Sequence, residues 1–291
     1  MKTRDKGEVA KSPPLHSAKL ESAEVQFGDQ TFTIVHQDPD DHIFKILKSS
    51  GRFYESEMLE ALRRVLEPGD IVVDVGANIG NHTVFFAGVC GCQVIAFEPH
   101  PLAFALLNEN IRINSLQPLV VANMIGVGQA TGSATFEPMA SAHNLGGSTL
   151  RIGGQGIKVA PLDDLLAGKS VRLLKIDVEG MELSVLKGAK RMLRKARPMV
   201  CVEAKEEVQF GEIFDFLSAY GLFVGSVHNF SATHLFFRSG LFKQAPILSA
   251  LSRFLGMFFI RSETGISELR RRVASLEDRV SALSQGDEPK L

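Results

Sequence analysis

Residues 71–80, Ile71-Val-Val-Asp-Val-Gly-Ala-Asn-Ile-Gly80, are the stretch that decides the fold of this 291-residue chain. Apolar residues on both sides of a single carboxylate, Asp74, are typical of a buried strand in a parallel sheet. The glycines predict a turn in which no side chain blocks a ligand. A helix that begins just after this turn directs its first free N–H groups at the same space. The stretch therefore predicts a ligand site at the carboxyl end of the strand.

The spacing of the turn indicates which ligand it suits. A dinucleotide-binding turn has three glycines that admit a pyrophosphate, whereas here the middle position is Asn78 and the strand contains Asp74. The turn therefore suits a ligand with an ammonium and a carboxylate better than one with two phosphates, and S-adenosylmethionine is such a ligand. The residues predicted to contact it from this stretch are Asp74, Gly76, Asn78, Gly80 and Thr83.

Three blocks of the sequence resemble the FkbM family of S-adenosylmethionine-dependent methyltransferases. They are Asp74-Val-Gly-Ala-Asn-Ile-Gly80, Ala96-Phe-Glu-Pro99 and Leu174-Lys-Ile-Asp-Val-Glu-Gly180. The resemblance covers roughly residues 50 to 205. It implies a Rossmann-like class I methyltransferase fold and transfer of a methyl group to a hydroxyl of a sugar, a glycan or a related metabolite such as a polyketide.

The order of apolar runs predicts an α/β protein with a doubly wound, mostly parallel, seven-stranded sheet. A closing antiparallel hairpin is predicted over 222–227 and 233–238, and residues 42–47 are predicted to continue an N-terminal β meander that caps one sheet edge. The predicted divisions are a disordered lead-in over 1–20, an N-terminal β hairpin or meander over 21–50, a methyltransferase domain over 51–240, an amphipathic helix over 241–262 and a coiled coil over 263–285.

Further cofactor contacts are predicted from the strand ends. Glu98 follows the second strand, where an acidic residue of a doubly wound sheet accepts hydrogen bonds from the two ribose hydroxyls. The third strand of this architecture ends beside the adenine, so Gly126 and Val127 are predicted to flank the base. Glu55 matches a short family element that approaches the cofactor, and it would equally suit the first turn of the next helix as a favourable charge.

The catalytic candidates are acids at the carboxyl ends of later strands and one histidine. Asp177, Glu179 and Glu203 are predicted on the same rim as Gly76, and His228 lies in a nearby turn. Transfer to a hydroxyl needs positioning and a base that removes the proton. Asp177 is the first candidate for that base, or for holding the cofactor's ammonium, and it would also serve as a helix N-cap. The sequence gives no positive sign of a metal site, and none is predicted.

Composition excludes some function classes and indicates a compartment. With 32 basic and 33 acidic residues, the net charge of −1 gives no sign of a nucleic-acid partner. The three cysteines have no zinc-ligand spacing, which favours free thiols in a reducing cytoplasm. The first 20 residues lack the apolar core of a secretory signal.

The C-terminal extension predicts assembly. Residues 241–262 have apolar side chains at helical spacing, which favours packing on the domain or on a second subunit, with peripheral membrane contact as the alternative. Residues 263–285 carry a heptad seam that predicts a homo-oligomeric coiled coil, with an ordinary amphipathic helix as the alternative. The seam residues are Ile266, Leu269, Val273, Leu276, Val280 and Leu283.

Two other functions are compatible with parts of the pattern. The first is a non-catalytic protein that binds S-adenosylmethionine and assembles through its C-terminal extension. The second is a nicotinamide-dependent oxidoreductase, which is disfavoured by Asn78 and by the lack of a downstream Tyr-x-x-x-Lys pair.

Overall fold

The computed structural model of the protein describes residues 20–137, 147, 150–154, 156–228 and 232–238. The predicted lead-in before residue 20, the amphipathic helix over 241–262 and the coiled coil over 263–285 lie outside the described residues. Within the described ranges, no helix has the length and apolar character that crossing a bilayer requires.

The strands and helices alternate along most of the described chain. The strands are β1 Glu21–Phe27, β2 Gln30–His36, β3 Ile71–Val75, β4 Gln93–Phe97, β5 Val120–Asn123, β6 Gly126–Val127, β7 Gly132–Phe136, β8 Leu150–Ile152, β9 Ile157–Ala160, β10 Val171–Ile176, β11 Met199–Glu203, β12 Leu222–His228 and β13 Thr233–Arg238. The helices are α1 His42–Ser50, α2 Ser56–Arg63, α3 Asn81–Val84 with a π-helical continuation Phe85–Val89, α4 Pro101–Ile113, α5 Leu162–Leu165, α6 Glu182–Lys187, α7 Lys190–Lys195 and α8 Glu207–Ser218.

The central sheet has seven strands in the order β12-β13-β11-β10-β3-β4-β5. The pairs β11-β10, β10-β3, β3-β4 and β4-β5 are parallel, whereas β13 is antiparallel to both of its neighbours. Val72 and Val73 are both fully buried although they face opposite sides of the sheet, because helices cover both faces. The predicted doubly wound sheet and its closing antiparallel hairpin are confirmed.

The N-terminal segment differs from the predicted meander after its second strand. Strands β1 and β2 pair as predicted, but they form a separate sheet, and residues 42–47 lie in helix α1. The reason is the spacing of Ile43, Phe44, Ile46 and Leu47, which is helical rather than alternating. The side chain of Asp41 caps this helix by accepting a hydrogen bond from the N–H of Phe44 at 3.0 Å.

The hairpin is attached to a helix rather than to an edge of the central sheet. Asn110 of α4 accepts a hydrogen bond through Oδ1 from the N–H of Val35 at 2.7 Å, and the C-cap residue Asn114 accepts one through Oδ1 from the N–H of Thr33 at 2.9 Å. The buried Asn110 and the half-buried Asn114 thus hold the hairpin against α4, and its role as a cap over a sheet edge stays a prediction.

The chain between β5 and β10 forms a third sheet. Its four strands have the order β6-β9-β7-β8, and β6 pairs with β9 in parallel. The predicted third strand over 119–125 therefore ends at Asn123, and the chain leaves the central sheet before Gly126. This small sheet brings Phe136 and Leu150 to the carboxyl edge of the central sheet.

A buried histidine in β13 is expected to make the folded protein less stable at acidic pH. His234 is fully buried, and its ring centroid lies 4.4 Å from that of Phe210. Burial lowers the pKa of His234 from its ordinary value of 6.5 to about 4. Between these values the unfolded chain binds the proton and the folded chain does not, so the free energy of unfolding falls as the pH decreases from 6.5 to 4.

Lowering the pH from 7 to 4 should reduce the free energy of unfolding of the wild type by about 3 kcal/mol more than that of the His234→Leu variant. Urea unfolding at both pH values measures the difference. His42→Leu, at an exposed position, is the matched control. An identical pH dependence for wild type and His234→Leu would contradict this assignment.

Candidate active site

A cleft opens at the carboxyl edge of the central sheet, above the ends of β3, β4, β10 and β11. This is the place where open parallel sheets bind their ligands. The wall includes many of the residues predicted from the sequence, whose individual roles stay predictions. These residues are Glu55, Gly76, Asn78, Glu98, Val127, Asp177, Glu179 and Glu203.

The turn after β3 requires glycine at Gly76 because its backbone lies against the backbone that follows β10. Gly76 has φ 75°, and a Cβ at this position would lie 1.8 Å from the carbonyl oxygen of Asp177. Gly80 has φ 95°, and a Cβ there would lie 2.7 Å from Leu107 Cδ1. The sequence predicted glycines that clear room for a ligand, and the structure shows that both also clear room for protein atoms. Gly80 is not part of the cleft wall formed by the described residues.

Glu98 is fixed at the end of β4 by two backbone donors. Its Oε2 accepts from the N–H of Asn78 and its Oε1 accepts from the N–H of His100, each at 2.8 Å. Burial raises the pKa of Glu98 to about 7, although these hydrogen bonds oppose the shift. Each carboxylate oxygen can accept a further hydrogen bond. Glu98 is therefore oriented to receive two hydroxyl donors from the cleft.

In the cleft wall, Lys175 pairs with two aspartates. Its Nζ lies 3.2 Å from Asp74 Oδ1 and 3.5 Å from Asp177 Oδ2. Burial alone would lower the pKa of Lys175, but the two carboxylates raise it above its ordinary value. Burial would likewise raise the pKa of Asp177, but Lys175 and neighbouring cations lower it. Both charged forms are therefore stabilised.

Two predicted ligand contacts, Asp74 and Thr83, do not line the cleft formed by the described residues. Asp74 is fully buried, and its Oδ2 accepts a hydrogen bond from Thr83 Oγ1 at 2.7 Å. Neither residue lines the cleft, because both side chains face each other beneath the turn. Asp74 and Thr83 thus connect β3 to α3, and the sequence analysis did not identify Lys175 as the partner of Asp74.

A second lysine lies among acids at the end of β11. Lys205 Nζ is 2.9 Å from Glu179 Oε2 and 3.2 Å from Glu203 Oε2. Carboxylate oxygens of Asp177, Glu179 and Glu203 lie within 4.8 Å of one another, a spacing that a metal ion could use. Lys205 already supplies positive charge between two of these acids, so this geometry gives no added support for a metal.

The turn before α2 forms one side of the cleft, and it contacts Asn81 and His82 of α3, which sequence reasoning missed. Glu55 has φ 58°, a conformation that non-glycine residues seldom adopt and that often occurs at functional sites. Its carboxylate lies 3.1 Å from His82 Nε2. Asn81 fixes the turn through hydrogen bonds of 3.0 and 3.1 Å to the backbone of Tyr54. Burial raises the pKa of Tyr54 to about 12, so its phenol stays protonated at neutral pH.

Two further predicted residues do not reach the cleft. A Cβ on Gly126 would contact Leu150 and Val159, so this glycine faces the small sheet, and its neighbours Ile125 and Val127 line the cleft instead. His228 bonds through Nε2 to Ser226 Oγ at 2.8 Å. It lies on β12, in register with Thr233, which also pairs with Glu203, but it is not part of the cleft wall formed by the described residues, and its catalytic role stays a prediction.

The methyltransferase FkbM domain matches residues 74–223 of the sequence. The chain belongs to this family. It is accordingly a methyltransferase that uses S-adenosylmethionine, and membership favours this function over the nicotinamide-dependent oxidoreductase considered above.

Individual relatives agree with the family. The hexuronic acid methyltransferase AglP of Haloferax volcanii is 32% identical over 169 residues, which are 56% of this chain and 68% of the relative. The 31-O-demethyl-FK506 methyltransferase FkbM of Streptomyces tacrolimicus is 32% identical over 194 residues, 55% of this chain and 75% of the relative. A crystal structure of methyltransferase FkbM from Methylobacillus flagellatus KT has 22% identity and a TM-score of 0.46, covering 68% of this chain and 55% of that one.

The residues of the cleft fit S-adenosylmethionine. The ribose hydroxyls of this cofactor need hydrogen-bond acceptors. Its ammonium and its sulfonium need negative charge nearby. Glu98 offers acceptors at the end of β4, and Asp177 offers an ionised carboxylate at the end of β10. Asn78 Oδ1 is buried without a hydrogen-bond partner among the described residues, which marks a further acceptor at the turn.

Proposed function

We propose that the protein transfers the methyl group of S-adenosylmethionine to a hydroxyl oxygen of a sugar, a glycan or a related metabolite. The observation that carries this proposal is the distribution of carboxylates along one sheet edge. Glu98 lies at the end of β4, Asp177 at the end of β10 and Glu203 at the end of β11, all on one cleft wall. The names of two relatives, which act on a hexuronic acid and on a demethylated FK506, support an oxygen-rich acceptor.

The cofactor would lie across β4, β3 and β10. Glu98 would accept hydrogen bonds from the ribose hydroxyls, Ile125 and Val127 would flank the adenine, and Asp177 would pair with the ammonium. When bound, the cofactor supplies an electrophilic methyl group on its sulfonium. The rigid strand ends would hold the acceptor in line with that methyl group, and positioning of this kind can contribute about 7–11 kcal/mol to a reaction.

The contacts of Asp177 favour its cofactor role over its role as a base. Lys175 stabilises its ionised form, which makes it a weak proton acceptor. Glu203 ends the next strand, β11, and its partner Lys205 has a 46% exposed side chain, so water screens this pairing, whereas the Lys175 side chain beside Asp177 is only 4% exposed. We therefore assign proton removal from the acceptor hydroxyl to Glu203.

Methyl transfer is tested with isotopically labelled S-adenosylmethionine and a panel of sugars and oligosaccharides. We expect label in an alkali-stable methyl ether, because a methyl ester on a carboxyl group would be hydrolysed by alkali. Glu203→Gln should lower kcat by about 10²–10⁴ with little change in S-adenosylhomocysteine affinity, since a general base contributes that much. Asp177→Asn should instead weaken S-adenosylhomocysteine binding.

Glu212→Gln, on the exposed face of α8, is the matched control and should leave both measurements unchanged. Label found only in alkali-labile esters would contradict hydroxyl transfer. Binding of S-adenosylhomocysteine without transfer to any acceptor would support the non-catalytic alternative. Homo-oligomerisation through residues 263–285 and peripheral membrane contact by residues 241–262 stay predictions.

A further inference from the structure

We propose that His42 and Tyr54, in a part of the cleft wall that precedes the family domain, form the subsite that binds the acceptor sugar. The phenol of Tyr54 donates a hydrogen bond to a hydroxyl of the sugar other than the one that is methylated, and the ring of His42 contacts the sugar at the mouth of the cleft. This inference rests on the proposed function and assigns its acceptor side to two residues of the N-terminal segment.

One wall of the cleft is formed by residues that come before the family domain in the chain. His42 and Ile43 of α1 and the turn that contains Tyr54 line the cleft, whereas the family domain begins at residue 74. Asn81 Oδ1 accepts from the N–H of Tyr54 at 3.0 Å, and its Nδ2 donates to the carbonyl oxygen of Tyr54 at 3.1 Å. The rings of His42 and Tyr54 meet edge to face, with their centroids 6.2 Å apart. The backbone of Tyr54 is thus fixed, and the two rings form one surface.

The phenol of Tyr54 is available to a ligand as a hydrogen-bond donor. Tyr54 is half-buried, and its hydrogen bonds to other described residues are made by its backbone rather than by its hydroxyl. Burial raises the pKa of Tyr54 to about 12, so the phenol keeps its proton at neutral pH. A protonated phenol can donate one hydrogen bond and accept others, which suits a sugar hydroxyl.

The position of this phenol favours the acceptor over the cofactor. The pKa of Tyr54, raised first by burial, also responds to the carboxylates of Asp177 and Glu203 and to the ammonium of Lys205. The phenol therefore lies within electrostatic reach of the ends of β10 and β11. The acceptor hydroxyl must lie within hydrogen-bond distance of the base that removes its proton, a role assigned above to Glu203. An acceptor held there shares this part of the cleft with Tyr54.

The chemistry of this surface indicates how it selects an acceptor. The aromatic ring of Tyr54 offers an apolar face to the C–H groups of a sugar ring, and its hydroxyl reads one polar group. A site that hydrogen-bonds a substrate hydroxyl rejects an analogue that lacks it, because the protein group is then left unpaired. His42 is exposed, so its contact lies at the outer end of the acceptor. We therefore expect the position of one acceptor hydroxyl to determine specificity.

The inference is tested with the methyl glycosides of glucose, galactose and mannose. For a glycoside that is methylated, Tyr54→Phe should raise the acceptor KM about threefold to tenfold, the effect of one hydrogen bond. Its kcat and its affinity for S-adenosylhomocysteine should stay within about twofold of the wild type, because the lost contact binds substrate and transition state alike. His42→Ala should raise KM about threefold through loss of its ring contact. Saturation-transfer NMR of the glycoside, with S-adenosylhomocysteine bound, measures acceptor binding without turnover.

Monodeoxy analogues of the methylated glycoside identify the hydroxyl that Tyr54 contacts. For one analogue, the wild type should lose the same factor in KM that Tyr54→Phe loses with the parent glycoside, and Tyr54→Phe should treat that analogue and the parent alike. The matched control is Tyr220→Phe, because Tyr220 packs on Phe216 away from the cleft. Lys45→Ala, at an exposed position of α1, is the control for His42→Ala. Both controls should keep the wild-type KM.

Three outcomes would contradict the inference. A Tyr54→Phe protein with weakened S-adenosylhomocysteine binding and an unchanged acceptor KM would place Tyr54 at the cofactor and leave the proposed function standing. Deoxy analogues that each lose the same factor with both proteins would show that Tyr54 contacts no acceptor hydroxyl. Absence of transfer by the wild type to every sugar would instead refute the proposed function, and this inference with it.

Discussion

Replacement of Glu98 with alanine is expected to weaken S-adenosylhomocysteine binding at least about a hundredfold. The ribose presents two adjacent hydroxyls, and hydrogen bonds to a charged acceptor contribute about 1.5–3 kcal/mol each. Two such bonds correspond to a factor of about 10² to 10⁴ in the dissociation constant. Glu98 is held for this role by the N–H groups of Asn78 and His100, so its carboxylate needs little reorganisation when the ligand binds.

The pH dependence of binding provides a second readout of the same residue. Burial raises the pKa of Glu98 to about 7. Hydrogen bonds donated by the ribose hydroxyls would favour the ionised form of this carboxyl group. Affinity of the wild type should therefore increase as the pH rises through 7. Isothermal titration calorimetry at pH 6 and pH 8 measures this dependence, which Glu98→Ala should lose.

Glu109→Gln is the control for Glu98, because Glu109 forms its ion pair with Arg112 on the exposed side of α4, away from the cleft. It should bind S-adenosylhomocysteine as the wild type does at both pH values. A Glu98→Ala protein that binds within threefold of the wild type would show that the ribose lies elsewhere.

The sequence predicted the rim of the site well because strand direction alone determines it. Four strands of the central sheet end at Val75, Phe97, Ile176 and Glu203. Because these strands are parallel, their carboxyl ends lie at one edge of the sheet. Acids that immediately follow or end these strands must then lie near one another. Strand direction alone therefore predicts Glu98, Asp177 and Glu203 on one rim, and all three line the cleft.

The sequence could not predict which side chains pair across that rim. Lys175 stands directly opposite Asp74 in the register of β10 and β3, and no local pattern connects two residues so far apart in the chain. A clue was present, because a lysine inside an otherwise apolar buried strand needs an acidic partner. The position of His228 was likewise open, because periodicity does not reveal that β13 lies between β11 and β12.

Replacement of Lys175 with methionine is expected to lower the free energy of unfolding by about 3–5 kcal/mol, because it would leave Asp74 and Asp177 without their shared cation. Lys175 is 3% exposed and Asp74 is fully buried, so water cannot solvate the carboxylate that loses its partner. Methionine has a similar length and keeps the packing, so the loss reports the charge rather than a cavity. Urea or thermal unfolding of the two proteins measures it.

A second substitution separates charge from shape at this position. Asp74→Asn in the Lys175→Met background removes one uncompensated carboxylate and should recover part of the lost stability, whereas the same change in the wild type should destabilise. Lys195→Met, at an exposed position in α7, is the control and should change stability by less than about 0.5 kcal/mol. If Asp74→Asn destabilises both backgrounds equally, the two residues do not interact, and the electrostatic account of the cleft floor is wrong.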